Sequence, residues 1–351
     1  MLWLGGESPL TTFCNERVNM VKFALKRLLI MLLMLIGLSL IVFVILELPP
    51  GDFAERYVFD LRQSGAQITF DQIDNYRHML GLDRPWPVRY LQWIGGIVTR
   101  LDFGWSLTYR IPVTEVLGSR ILFTVVLSVV TIALSYLIAI PLGIYSAMHQ
   151  YSFGDYVFTV LGYLGMATPA FLFALILLYI STMYLNTSVG GIFSGEYQQA
   201  AWSWGKLFDF FKHMWIPVLV LGTSGAASTI RTMRATMLDE KNQLYVTVAR
   251  AKGVSEKNLI QKYPVRAALN PVVSTIGWEL ASIVSGSPIT ATVLALPDIG
   301  PVFLKALLNQ DIYLSATVLL IYSSLTIIGT FLSDILLAAL DPRIRFGGGA
   351  R

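Results

Sequence analysis

Uncharged apolar stretches alternate with polar ones along this chain, and six of the stretches reach the length of a membrane span. The first, 29–46, carries no charge; eighteen residues give about 27 Å of helix at about 1.5 Å per residue, against a hydrocarbon core of roughly 30 Å. No small-residue cleavage site precedes Pro49, Pro50, Gly51 and Asp52, so the segment is read as a retained helix rather than a removable leader. The second and third runs, 121–148 and 156–185, contain Pro141 and Pro169. A proline inside a span deletes one backbone hydrogen bond and bends the helix, so a bend is expected at each. The fourth, 214–238, turns small and polar at Gly222, Gly225, Ala226, Ala227 and Ser228, which lets helices approach closely. The runs 271–296 and 312–340 complete the set, with Glu279 and Asp334 as their interior ionisable residues.

The expected architecture is an all-α polytopic membrane protein with six transmembrane helices and both termini on one side. It divides into a cytoplasmic N-terminal segment (1–28), a first transmembrane helix (29–48), an extracytoplasmic segment (49–120), a core with five further spans (121–340) and a cytoplasmic tail (341–351). Composition agrees with this class: 55% of residues are hydrophobic and 14% charged, where a soluble domain carries about a quarter. The net charge of +4 does not point to nucleic acid, because the basic residues flank membrane runs and form no long patch. Cys14 is the only cysteine, so no intrachain disulfide and no thiolate metal site can form.

The basic residues also set the orientation. With the N-terminus in the cytoplasm, fifteen of the 26 Lys and Arg fall on that side, eight of them between Arg231 and Arg266. The segment 49–120 holds eight more, but loops longer than about 60 residues hardly obey the positive-inside rule. The segment is expected to be a small helical cap, with Trp86, Tyr90, Trp93, Trp105 and Tyr109 as anchors at the lipid headgroups. Trp202, Trp204 and Trp215 invite the same reading in the region 186–213.

The polar loop 239–270 carries the sharpest local pattern. Asp239 and Glu240 suit a helix start, Leu244, Val248 and Ala251 recur at helical spacing, and Gly253 supplies a stop. Ser255 suits the N-cap of a second helix with Leu259, Ile260 and Tyr263, interrupted at Pro264. Periodicity alone is equally satisfied by a solvated connection between two spans.

Tyr245, then Ala249, Arg250, Ala251, Lys252 and Gly253, then Arg266, Ala268 and Pro271, resemble the cytoplasmic coupling motif of binding-protein-dependent ABC transporter permeases, in the dipeptide/oligopeptide/nickel branch. Further resemblance lies in Pro50-Gly51-Asp52, in Leu80 to Pro85 with Val88, Arg89 and Tyr90, in Asp102-Phe103-Gly104 with Ser106 and Leu107, in Ile140 to Gly143, in Pro297 with Gly300, and in the ending 340–345. About the first nineteen residues lie outside it, and Met20 offers an alternative start before Lys22, Lys26 and Arg27. The chain departs from the branch pattern at Tyr263, Ala267 and Ala291, and at Pro297-Asp298 where Pro-Gly is usual.

The resemblance implies the type I permease fold of ABC importers in a bacterial inner membrane. No Gly-x-x-x-x-Gly-Lys-Ser/Thr loop is present, so the chain has no phosphate cradle of its own. The chain is therefore expected to bind no cofactor and to be no enzyme. ATP and Mg would sit on two cytoplasmic ATP-binding subunits, a second homologous permease would complete the pathway, and an extracytoplasmic solute-binding protein would deliver the cargo. Leu244, Tyr245, Val248, Ala249, Arg250, Ala251, Lys252 and Gly253 would couple to the ATPases. Glu279 and Asp334 are the candidate pathway residues, because an ionised side chain at mid-bilayer costs about 2.5–3.5 kcal/mol and needs a wet cavity or a partner.

Oligopeptides or dipeptides are the expected solutes, with nickel or an oligosaccharide-like solute as the alternative. An ion-coupled secondary transporter fits less well, since no internal repeat is visible. A membrane enzyme fits poorly too, because His78, His149 and His213 fall in three separate segments, each read as solvated or interfacial.

Overall fold

The computed structural model describes residues 9–64, 70–184 and 190–340; the tail 341–351 and the ending motif that it carries lie outside the described residues. In chain order the elements are α1 (Pro9–Glu47), α2 (Phe53–Gln63), α3 (Phe70–Leu80), α4 (Trp86–Arg100), a hairpin of β1 (Trp105–Ser106) and β2 (Ile111–Pro112), and α5 (Val113–Met148). Then come α6 (Phe153–Ala167), α7 (Ala170–Tyr184), the single turn α8 (Gly195–Gln198) and α9 (Trp204–Glu240). Next are α10 (Leu244–Ala251), α11 (Glu256–Lys262), α12 (Pro264–Ser274), α13 (Ile276–Val293), α14 (Ile299–Leu308) and α15 (Ile312–Leu340).

Among the described residues, three helices are long and apolar enough to cross a membrane: α1 from Arg27, α5 and α15. Two bent pairs, α6 with α7 and α11–α12 with α13, raise the number to five. The remaining expected run, 214–238, lies inside α9, whose 37 residues make about 55 Å of helix and carry charged residues at both ends. Its middle third is apolar and small, and it packs along α5 through Val220, Leu221 and Leu127.

Pro169 does more than bend its span. It separates α6 from α7, whose axes turn by 107°, whereas Pro141 sits inside an unbroken α5. Both prolines delete the same hydrogen bond; the difference lies in the neighbours. α5 runs along α9, its main partner, from Leu127 near its middle to Ala147 near its end, where Ala147 meets Met233 and Met237, so both sides of Pro141 follow the same helix. α6 lies on α9 while α7 also packs on α13, so the two halves follow different partners.

The segment 49–120 folds into α2, α3, α4 and the hairpin, and α5 begins within it at Val113 rather than at Ile121. Asp52 N-caps α2 by accepting from the Glu55 amide and takes Arg77 Nε at 2.6 Å, which staples α3 to it. Arg89 reaches Glu47 at the end of α1, 2.6 Å away, and the Tyr90 hydroxyl lies 2.9 Å from Ser39 Oγ. Tyr90 and Trp93 are therefore not headgroup anchors: they are buried against Phe43 of α1, with Ile312 and Ala316 of α15. Trp86 and Trp105 do remain exposed, as do Trp202 and Trp204.

Candidate functional site

Two places concentrate the chemistry. The first is the loop after α9. Asp239 and Glu240 do not open its first helix, as their charge suggested; they close α9, because the helical register continues unbroken from Trp204. The loop helix α10 starts at Leu244 after Gln243.

α10 ends as its glycine requires. Gly253 has φ +79°, its amide donates to Arg250 O at 3.0 Å, and Val254 N reaches Ala249 O at 3.4 Å. These two bonds are those of a Schellman turn, and Val254 closes it by packing with Val246, Ala249 and Leu259. The turn folds α11 back on α10 over a small private core. Arg250 spans the same turn, with Nε 2.6 Å from Glu256 Oε1; the ion pair holds the Glu256 carboxyl below, and the Arg250 guanidinium above, their usual ranges. The Tyr245 hydroxyl donates to the Glu240 carboxylate. Burial, with that bond and the Glu240 charge, pushes the phenol up to about 12.

The loop therefore turns Val246, Ala249 and Leu259 inward and leaves Leu244 and Val248 outward, with Leu244 77% exposed. Ala251 and Lys252 are exposed beside them. The loop is also tied to the ends of the long helices. Thr236 Oγ1 of α9 donates to Ala268 O of α12 at 3.2 Å, and Ala268 is fully buried with Met233, Met237 and Ala147. Lys241 Nζ donates to Ala147 O at 3.0 Å, joining α9 to the end of α5. Arg266 donates to Leu340 O through Nε at 3.3 Å and Nη2 at 3.1 Å, placing a cation on the C-terminus of α15.

The second place is a cavity of about 180 Å³ where the α6–α7 break meets α9 and α13. Its wall includes Thr168, Thr223, Ser224, Glu279 and Ser282. The structure thus separates the two expected acids. Glu279 faces this cavity, whereas Asp334 lies 3.3 Å from Arg27, between α15 and α1.

Several paired groups gave no local signal in the sequence. Asp155 at the start of α6 binds Arg234 of α9 across 79 positions, and Asp311 accepts from Ser106 Oγ at 2.7 Å across 205. Asp298 N-caps α14 and accepts from Thr124 and, at 2.7 Å, from Ser287 Oγ. His213 is buried rather than solvated: it sits on α9 one turn from Asp209, with Nδ1 2.8 Å from the Asp209 carbonyl. Among the described residues no three His, Cys, Asp or Glu side chains converge as a metal site requires.

Comparison with known proteins finds relatives along nearly the whole chain. Residues 139–346 match the family model described as the inner membrane component of binding-protein-dependent transport systems, and residues 20–127 match the N-terminal model of such membrane components. The chain is 36% identical over 327 residues to a putative peptide permease protein of Brucella ovis, covering 93% of this chain and 99% of that one. It is 32% identical over 328 residues to the oligopeptide transport system permease protein AppB of Bacillus subtilis, covering 93% and 100%. To the dipeptide transport system permease protein DppB of Escherichia coli it is 29% identical over 347 residues, covering 93% and 99%. The long apolar helices and these matches lead to one assignment: the chain belongs to the family of inner membrane components of binding-protein-dependent transport systems.

Proposed function

We propose that this chain is a permease subunit of an ATP-driven importer of oligopeptides or dipeptides, with both termini in the cytoplasm. Two cytoplasmic subunits hydrolyse ATP with Mg, a second homologous permease forms the other wall of the pathway, and an extracytoplasmic solute-binding protein loads it. The observation that carries the reading is the outward face of α10. Leu244 and Val248 offer an apolar edge suited to a groove, while Thr236, Lys241 and Arg266 fasten the loop to α5, α12 and α15. A push on such a handle is delivered to several helix ends at once, because the loop is bonded to each of them.

In this reading Tyr245, Ala249 and Gly253 shape the handle, and Ala251 and Lys252 lie on its exposed surface with Leu244 and Val248. Arg250 has a role inside the loop through Glu256 and presents its remaining donors outward. Glu279 belongs to the pathway; Asp334 acts with Arg27 where α1 meets α15.

The test is reconstitution of the complete complex in vesicles, with peptide uptake followed in the presence of ATP. ATP-dependent uptake that disappears when the ATPase subunits are omitted is the expected result. Uptake driven by an ion gradient alone would overturn the reading in favour of a secondary transporter. ATP-dependent uptake of nickel or an oligosaccharide in place of peptide would keep the machinery and replace the solute.

A further inference from the structure

Glu279 is an acid without a counter-charge. It lies one turn into α13 and faces the cavity at the α6–α7 break. Among the described residues, none donates a hydrogen bond to its carboxylate and none forms an ion pair with it, and the cavity wall contains no Lys, Arg or His. Gly225 stands directly opposite: a Cβ at that position would collide with Glu279 Oε2, so the glycine keeps the space around the carboxylate open.

The depth of the site makes this isolation costly. Gly225 is six residues along α9 from Arg231, the nearest charged residue on that helix, about 9 Å of helix at about 1.5 Å per residue. A carboxylate held there with no partner is unfavourable, and such a residue is retained where a cation or water meets it in function. The lining is mixed: beside apolar Phe173, Val220, Leu221 and Ile283, the side chains of Thr168, Thr223, Ser224 and Ser282 supply hydroxyls, and the break at Pro169 leaves the Gly165 carbonyl without its helical donor. The cavity volume is far above the roughly 10–15 Å³ that one water needs.

We infer that Glu279 is the point on the pathway that receives the ammonium group of the transported solute, so that the permease itself selects for a cationic amino terminus. The inference rests on the peptide-importer reading above. It assigns to the membrane subunit a share of the specificity that would otherwise lie wholly in the solute-binding protein. The carboxylate takes a charge-assisted hydrogen bond from the ammonium, and the hydroxyls replace part of its hydration shell.

A cycle in residue and solute tests it. The complete transporter, with wild-type permease or Glu279→Gln, is reconstituted in vesicles and given trialanine or its des-amino analogue, in which hydrogen replaces the ammonium group. The solute-binding protein is the same throughout, so its own preference cancels in the ratio of ratios. The expected result is a wild-type preference for trialanine that falls about tenfold in Glu279→Gln, as a lost charge-assisted hydrogen bond implies, and is partly restored in Glu279→Asp.

Equal losses for both solutes would assign Glu279 to helix packing or to the second permease, and would overturn the inference. So would an unchanged ratio, which also covers a permanently protonated acid. If the solute-binding protein does not deliver the analogue, titration of the purified full complex with trialanine, without that protein, decides: binding about tenfold weaker in Glu279→Gln supports the inference and equal binding overturns it. Absence of any ATP-driven uptake by the wild-type complex is a different failure, that of the importer reading.

Discussion

Arg234 of α9 and Asp155 of α6 meet through two parallel hydrogen bonds, Nε to Oδ1 and Nη2 to Oδ2, each 2.8 Å long. Asp155 also accepts from the Tyr151 amide at 3.0 Å, and its side chain is only 4% exposed. The fork fixes distance and orientation together, which a Lys could not do. It therefore sets how the α6 end of the broken span sits on α9, the helix that leads into the 239–270 loop.

Removing one member should hurt more than removing both. Arg234→Met leaves Asp155 buried without its cation, and a loss of about 3–5 kcal/mol is expected for such a broken pair. The double variant Arg234→Met with Asp155→Asn should recover part of that. Thermal unfolding of the purified complex in detergent measures both, and equal losses in single and double variants would refute a paired role.

Gly253→Ala separates shape from contact. The new Cβ meets nothing within 4 Å, so its cost is the left-handed backbone alone, about 1 kcal/mol. Membrane insertion should be unchanged, and ATP-dependent uptake should fall because the α10–α11 turn loosens. Gly253→Asn should retain more uptake, since Asn tolerates that conformation. Immunoblotting of membranes alongside vesicle uptake reads the two effects separately.

Tyr245 gives the loop a dependence on alkaline pH. Its phenol is raised from 10.0 to about 12 in the folded chain, so the protonated form is the one the loop favours. That contribution is fully present below pH 10 and is lost as pH rises through about 12. Phenolate absorbance of wild type minus Tyr245→Phe should therefore titrate well above an ordinary tyrosine. A difference spectrum centred near 10 would contradict the bond to Glu240.

Asp298 stands where the branch pattern has glycine, and the structure gives it work to do. It is completely buried, caps the first amide of α14 at 2.7 Å and gathers Thr124 and Ser287 from α5 and α13. Asp298→Gly should cost about 1–2 kcal/mol through the lost cap and hydrogen bonds. Denaturation of the purified complex should show it, while ATPase stimulation by a loaded solute-binding protein should persist.

What could be read from the chain alone was whatever depends on neighbours in sequence. Run length and absence of charge mark 29–46, 121–148 and 312–340 as helices because a bilayer demands unbroken apolar length. The loop helix ending at Gly253 was legible for the same reason, since a left-handed stop and a 3.6-residue period are local facts.

Tertiary structure decided the rest, because pairing energies depend on distance in space. Nothing near Pro169 or Pro141 says that one breaks a span and the other does not; the neighbours of each half decide it. Asp239 and Glu240 looked like a helix start because their charge suits one, yet packing carries α9 through them. Tyr90 and Trp93 looked like headgroup anchors until α1 and α15 closed over them. Glu279 and Asp334 were indistinguishable as lone acids in apolar runs, and only folding gave one an arginine and the other a cavity. A charge in a low-dielectric setting is defined by what stands within a few ångströms of it, and sequence spacing does not encode that distance.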